Sequence, residues 1–279
     1  MLTFVGLGLY DERSVTVAGR EAIRDADRVV AEFYTSKLVG ATLDDLEAYH
    51  DVEIDVRDRA GVEQTPDDFL DAADSEDVVF LTAGDTMVST THVDLRLRAH
   101  ERGVETRVIH GTTAQTAASS LTGLQNYRFG KATTLPFERS HGGEGVPDSV
   151  LDTIEANRER GLHTLVFLDI DAAGDDYMCA DTAAGMLADA WDERTTERAD
   201  EDGSESEDAA PGSERLGVTV ARAGSPEPVV RADTLATLAA ESFGEPLHLL
   251  VVPGDLHLVE REALAALGDA PESALPPAR

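Results

Sequence analysis

With 55 acidic residues against 23 basic ones in 279, a formal charge of −32, this chain is ill suited to nucleic acid, whose phosphates need a positive stripe that the sequence does not offer. The single Cys179 cannot close an intramolecular bridge, and no apolar run reaches membrane-spanning length or follows a basic leader, so a soluble cytoplasmic protein with an ordinary core is expected. Only Lys37 and Lys131 are lysines and the acidic residues are spread along every segment, which reads as a solvated surface suited to high salt, where repulsion is screened over about 3 Å at molar ionic strength, and predicts a halophilic archaeal source.

Short β-branched runs alternate with amphipathic stretches. Leu2 to Val5 reads as a strand, Val15 to Ala26 as a helix capped by Ser14, Arg28 to Phe33 as a strand, and Leu43 to His50 as a helix capped by Thr42. Val78 to Thr82 is a buried strand, Val93 to Arg102 a helix, and Glu105 to Ile109 a strand. The alternation restarts after His110 with a helix around Thr116 to Leu121, extended chain around Arg128 to Leu135, a helix from Pro147 to Arg160 and a strand from Thr164 to Asp169. A helix from Ala180 to Trp191, a strand from Gly217 to Ala221, a helix from Thr234 to Glu241 and a strand from His248 to Val252 complete it. This order predicts an α/β protein of two domains, 1–112 and 113–279, with mainly parallel or mixed sheets. Glu138 to Val146, with Gly142, Gly143 and Gly145, reads as a surface loop. Arg194 to Glu214 has too little apolar content to offset its ordering entropy and reads as a mobile acidic insert.

Four strand ends stand out as chemistry. Gly6-Leu7-Gly8-Leu9 follows the first strand, and a glycine-relieved loop there lets backbone approach a small ligand. Gly84-Asp85 leaves a strand at its carboxyl end, where Asp85 can accept a ligand hydroxyl or cap the following turn. Phe167-Leu168-Asp169 and Pro253-Gly254 are read with these as parts of one cofactor pocket. The chain shows no nucleophile elbow, no P-loop and no paired Cys/His zinc spacing.

The segments GLGLYDERSVTV, AEFYTS, LTAGDTMVSTTH, RVIHGTT, TGLQNYRFGKATT, GLHTLVFLDI, VARAGS and LHLLVVPGDLHLVE, in this order, resemble the tetrapyrrole-methylase-like group of S-adenosylmethionine-dependent methyltransferases. Within it they resemble the archaeal branch that modifies a protein. The resemblance runs from Leu2 to about Gly268. It implies a cofactor cleft formed by two α/β domains, with Leu9, Asp85, Val88, Thr113 and Ala114 from the first part of the chain and Leu168, Ala223 and His248 from the second as cofactor contacts. It further implies that the substrate is translation elongation factor 2 carrying a histidine extended by an aminocarboxypropyl group, whose amine is methylated repeatedly, and that the enzyme is a homodimer. The methyl transfer from S-adenosylmethionine that the resemblance implies requires neither a covalent nucleophile nor a metal, consistent with the lack of an elbow, a P-loop or zinc spacing in the sequence. Asp169, beside Leu168 at a strand end, is the candidate for orienting or deprotonating that amine, against the alternative that it caps the next turn. The chain departs from the group's pattern at Thr86, where proline is usual, at Asp255, where lysine or asparagine is usual, and at Thr113 and Ala114, where serine and a bulkier aliphatic are common. Two other readings stay open: a same-fold methyltransferase acting on a corrin or porphyrin precursor, which Gly8-Leu9-Tyr10-Asp11 in place of a glycine-proline-glycine-aspartate-proline signature disfavours, and a non-catalytic adaptor for the elongation factor.

Overall fold

Two five-stranded sheets organise the chain in a computed structural model, which describes residues 1–171, 174–202 and 211–279. The chain divides into two units: Met1–Ala114 with Ile170–Asp176 and Gly224–Pro226, and Gln115–Asp169 with Tyr177–Ala223 and Glu227–Arg279.

The first unit contains β1 (Leu2–Gly6), α1 (Val17–Asp25), β2 (Arg28–Glu32), α2 (Leu43–His50), β3 (Ile54–Val56), α3 (Arg59–Glu63), α4 (Asp67–Ala72), β4 (Val78–Thr82), α5 (Val93–Glu101) and β5 (Thr106–Ile109). Its sheet runs β3-β2-β4-β1-β5 and every pairing is parallel. Successive side chains of a strand point to opposite faces, so each strand feeds two cores. Phe4, Val30 and Phe80 join Phe69 and Leu95 on one face, with Phe80 edge-on to Phe4 and stacked on Phe69. Val5, Val29 and Leu81 join Ile23 and Leu46 on the other. β1 and β4 are buried along their whole length, as strands covered on both faces must be. Because all five strands are parallel, their carboxyl ends share one edge, where open α/β sheets carry their ligand loops.

The expected cap of α1 is corrected. Thr16, not Ser14, accepts the Gly19 amide, while the Ser14 hydroxyl turns back to the Leu9 carbonyl and to Asp11 Oδ1. Thr42 caps α2 as expected, with Asp45 completing a reciprocal capping box.

The second unit contains α6 (Ala114–Thr122, beginning at the last residue of the first unit), β6 (Thr133–Leu135), α7 (Glu138–His141), α8 (Asp148–Arg158), β7 (Thr164–Leu168), α9 (Ala180–Asp202), β10 (Leu216–Ala221), β11 (Val229–Thr234), α10 (Leu235–Ala239), β12 (His248–Val252) and α11 (Leu258–Leu267), while β8 (Ile170–Asp171) is counted with the first unit and β9 (Asp176–Tyr177) begins at that segment's last residue. The sheet order is β11-β10-β12-β7-β6; only β6 and β7 are parallel. Trp191, Leu187, Ile154, Val166, Leu238 and Leu250 are among the side chains of its core.

Two loop expectations change. The Glu138–Val146 segment includes the helical turn α7, ended by Gly142 in the left-handed region at φ 71°. The acidic insert expected at 194–214 is helical up to Asp202, and Gly212–Glu214 form a 3₁₀ turn; residues 203–210 lie outside the described residues. At the start of this segment Arg194 pairs with Asp152, the hydroxyls of Thr195 and Thr196 return to the carbonyls of Trp191 and Asp192, and the Gly212 amide donates to Asp192 Oδ1 at 2.7 Å.

Candidate cofactor site

In the first unit, three loops leave the carboxyl ends of β1, β4 and β5 and touch backbone to backbone. Gly8 and Gly84 exchange amide-to-carbonyl hydrogen bonds of 3.1 and 2.7 Å. A Cβ on Gly6 would come 2.5 Å from the Gly84 carbonyl oxygen, and one on Gly111 only 2.2 Å from it, so both positions exclude any side chain. Gly84 is held differently: at φ 73° it needs the left-handed region, but the space beside its α-carbon is open.

Asp85 follows, almost fully buried, and its carboxylate collects three donors. Oδ1 accepts the Met87 amide at 2.9 Å; Oδ2 accepts His110 Nδ1 at 2.8 Å and the Gly111 amide at 3.2 Å. A carboxylate offers about four acceptor positions, so about one remains for a ligand. The two sequence readings of Asp85 are therefore compatible, since it caps its own turn and retains acceptor capacity. The turn closes with the Val88 amide on the Asp85 carbonyl at 3.2 Å, leaving the Val88 side chain exposed. Leu9 and Ala114 are half-buried, Ala114 opening α6; Thr113, half-buried before it, makes polar contacts of its own. Gly224, at φ 89°, packs so tightly that a Cβ would lie 2.6 Å from that of Leu9. That approach accounts for the glycine of VARAGS.

In the second unit, antiparallel pairing aligns Phe167 with Leu249 and Ala221 with His248, which puts Leu168, Ala223 and His248 at one end of β7, β12 and β10. His248 is buried and both ring nitrogens are engaged: the Ala180 amide donates to Nδ1 at 3.1 Å, which fixes the hydrogen on Nε2, 3.0 Å from the Glu245 carbonyl. Burial pushes its pKa down and keeps the ring neutral. His248 thus holds the amino end of α9, and neither ring nitrogen is left to hydrogen-bond a ligand. Asp169 is likewise engaged: Oδ2 accepts the Phe137 amide at 2.9 Å and the Ser140 hydroxyl at 2.6 Å, holding the turn of α7.

Pro253-Gly254 does not join this group. β12 runs antiparallel to β7, with Val252 opposite Thr164, so Gly254 lies at the far end of the sheet from Leu168; its amide donates to His163 Nδ1 at 3.1 Å. Three further residues, His110, Glu32 and His92, escape a reading of the sequence alone. Their signal is faint: the histidine within RVIHGTT, a glutamate closing the apolar run of β2, and a histidine beginning a helix. Among the described residues no group of three or more His, Cys, Asp or Glu side chains is placed to hold a metal ion, and no helix is long and apolar enough to cross a membrane.

A two-unit α/β chain whose glycine loops and buried aspartate gather at the carboxyl edge of a parallel sheet has the organisation of a small-cofactor enzyme. Residues 1–239 match the model of the tetrapyrrole (corrin/porphyrin) methylases. The chain is 64% identical to diphthine synthase of Natronomonas pharaonis, with 99% of each protein covered, and 65% identical to that of Halorubrum lacusprofundi, with 97% of this chain and 98% of the relative covered. A crystal structure of diphthine synthase superposes with a TM-score of 0.83 at 38% identity over 98% of both chains. The chain belongs to the tetrapyrrole methylase family and, within it, to the diphthine synthases.

Proposed function

We propose that this chain takes its methyl groups from S-adenosylmethionine and N-methylates the aminocarboxypropyl-extended histidine of translation elongation factor 2, giving diphthine. Its full-length identity to diphthine synthases makes it an enzyme, a methyltransferase of diphthamide synthesis. The single observation that carries the cofactor assignment is Asp85, a buried carboxylate with acceptor capacity left beside open space at Gly84 and an exposed apolar Val88. Such a combination fits a ligand that is polar along one edge and apolar along its faces.

When bound, S-adenosylmethionine supplies a methyl group already activated by its sulfonium. The protein's own part is to bind, align and exclude water. Asp85 accepts a cofactor hydroxyl or amine, Leu9 and Val88 cover apolar surface, and Thr113 and Ala114 offer a hydroxyl and a small side chain at the start of α6. Leu168, Ala223 and His248 are assigned contacts of their own. The substrate amine has to be unprotonated at each transfer. The same reading makes the protein a cytoplasmic homodimer.

Calorimetric titration with S-adenosylhomocysteine tests the site. Asp85→Ala is expected to weaken binding at least tenfold, as removing an acceptor from a buried site does; unchanged affinity shows Asp85 to be a turn cap only. Mass spectrometry of elongation factor 2 incubated with enzyme and S-adenosylmethionine tests the substrate. Stepwise methylation is expected only on the extended histidine, and equal labelling of the unmodified factor overturns the assignment.

A further inference from the structure

The AEFYTS and STTH segments carry two ionisable side chains that the proposed chemistry leaves unused. Glu32 ends β2 and His92 precedes α5, and both are fully buried at 0% and 1% exposure. Glu32 Oε2 accepts the amides of Tyr34 and Thr35 at 2.9 and 3.0 Å, and Oε1 accepts the Thr35 hydroxyl. The His92 ring sits between two oxygens. Its Nδ1 is 3.3 Å from the Thr86 carbonyl oxygen and its Nε2 is 3.5 Å from Glu32 Oε1, with no hydrogen bond of ordinary geometry at Nε2. Phe80 and Tyr34 pack edge-on to the ring at centroid distances of 5.1 and 6.5 Å.

A carbonyl oxygen only accepts, and so does an ionised carboxylate. A neutral imidazole beside an ionised Glu32 therefore leaves one conflict in either tautomer. With hydrogen on Nδ1, the Nε2 lone pair faces the carboxylate; with hydrogen on Nε2, the Nδ1 lone pair faces the Thr86 carbonyl. In a buried site neither is relieved by water. One additional proton removes both conflicts, as an imidazolium or as a carboxylic acid donating to Nε2. Burial, the largest influence on each, raises Glu32 and lowers His92, which favours the acid with a neutral ring.

We propose that Glu32 and His92 hold one proton between them and that His92, donating from Nδ1 to the Thr86 carbonyl, is a positioning residue for the turn that presents Asp85 and Val88. Thr86 is buried and directly follows Asp85, and its carbonyl also takes the Thr90 hydroxyl at 2.5 Å, so the turn is tied to the start of α5 at one atom. The proposal rests on the reading of Asp85 and Val88 as cofactor contacts. The other titratable and charged groups around the pair are Tyr34, Asp58, Arg59 and Glu63, with the Arg59 guanidinium 5.1 Å over the Tyr34 ring.

The test is nitrogen-15 NMR of the His92 ring in the free, full-length protein between pH 5.5 and 9, joined to calorimetry with S-adenosylhomocysteine across the same range. The ring is expected to keep its hydrogen on Nδ1 and the pair to release a single proton in one step, with affinity held steady because the hydrogen bond to the Thr86 carbonyl persists. Glu32→Gln keeps a neutral donor toward Nε2, so it is expected to abolish the step and retain affinity, while His92→Ala weakens binding about tenfold, the weight of a hydrogen bond to a buried carbonyl. A ring with hydrogen only on Nε2, or a folded His92→Ala with unchanged affinity, overturns the proposal. If His92→Ala fails to fold, the wild-type titration decides alone. If the wild type does not bind S-adenosylhomocysteine, the cofactor reading fails, while the ring tautomer still decides whether His92 ties the turn.

Discussion

His110 Nδ1 lies 2.8 Å from Asp85 Oδ2, pairing a side chain that is 76% exposed with one that is 3% exposed. The pair joins the loop after β5 to the loop after β4, so a surface histidine fixes the orientation of a buried carboxylate. Since the carboxylate accepts, the hydrogen resides on Nδ1. His110→Ala is expected to weaken S-adenosylhomocysteine binding about fivefold, the effect of losing one exposed hydrogen bond to a carboxylate. Calorimetry on Asp85→Ala and on the double variant completes a cycle in which the two effects are less than additive.

The two glycines that meet at this edge differ in what they forbid. Gly111→Ala drives a Cβ into the Gly84 carbonyl and is expected to cost about 3 kcal/mol, the upper range for overpacking. Gly84→Ala meets no atom and carries only the left-handed backbone penalty, about 1 kcal/mol. Denaturant unfolding in molar potassium chloride measures both. An equal loss at the two positions contradicts the packing described for the three loops.

Asp169 is expected to serve the α7 turn rather than a proton. Asp169→Asn keeps a carbonyl acceptor for the Phe137 amide and the Ser140 hydroxyl, and methyl transfer should stay within about threefold of wild type. A general base lost at this position lowers the rate by about a hundredfold or more. Asp169→Ala removes the acceptor altogether and should cost about 1 kcal/mol of stability while sparing the pH profile of the reaction.

His50 gives the fold an acid-sensitive point. It is fully buried at the end of α2, neither ring nitrogen has a hydrogen-bond partner among the described residues, and burial with the nearby Arg24 and Arg20 charges pushes its pKa down to about 4. Above about pH 6.5 the ring is neutral folded or unfolded, and no penalty exists. As pH falls from there toward 4, the unfolded chain binds a proton that the folded one refuses, so stability is lost through that window, by about 3 kcal/mol in all. Unfolding of His50→Phe and wild type, compared at each pH, isolates this contribution; parallel pH dependence of the two proteins contradicts it.

Patterns of local origin are legible in the sequence. β1, β2, β4, β7 and β12 are short runs of apolar and β-branched residues, and α2 begins at a threonine whose reciprocal partner Asp45 is three residues on, so each is specified by neighbours in the chain. The short elements β3, α3 and α4 hold three to six residues each, too few for a period to show, and β11 and α11 likewise escape a reading of the sequence. The first residues of α9 past Trp191 are tied to partners no local window shows, Arg194 to Asp152 on α8 and Asp192 to Gly212.

Composition and contacts within a few positions are enough to specify the alternation of strand and helix, the acidic surface, and the strand-end segments Gly84-Asp85 and Phe167-Leu168-Asp169, while Leu9 and Val88 enter as cofactor contacts only through the family resemblance. What those residues touch is set by the folded chain. Folding brings His110 and Gly111 onto Asp85 from a loop 25 residues away, places Glu32 against His92 across 60 positions, commits both nitrogens of His248 to Ala180 and Glu245, and sends Gly254 to the opposite end of its sheet from Leu168. Strand order and direction settle such pairings, and they are fixed by burying two faces of a sheet at once, a condition no local window of sequence contains.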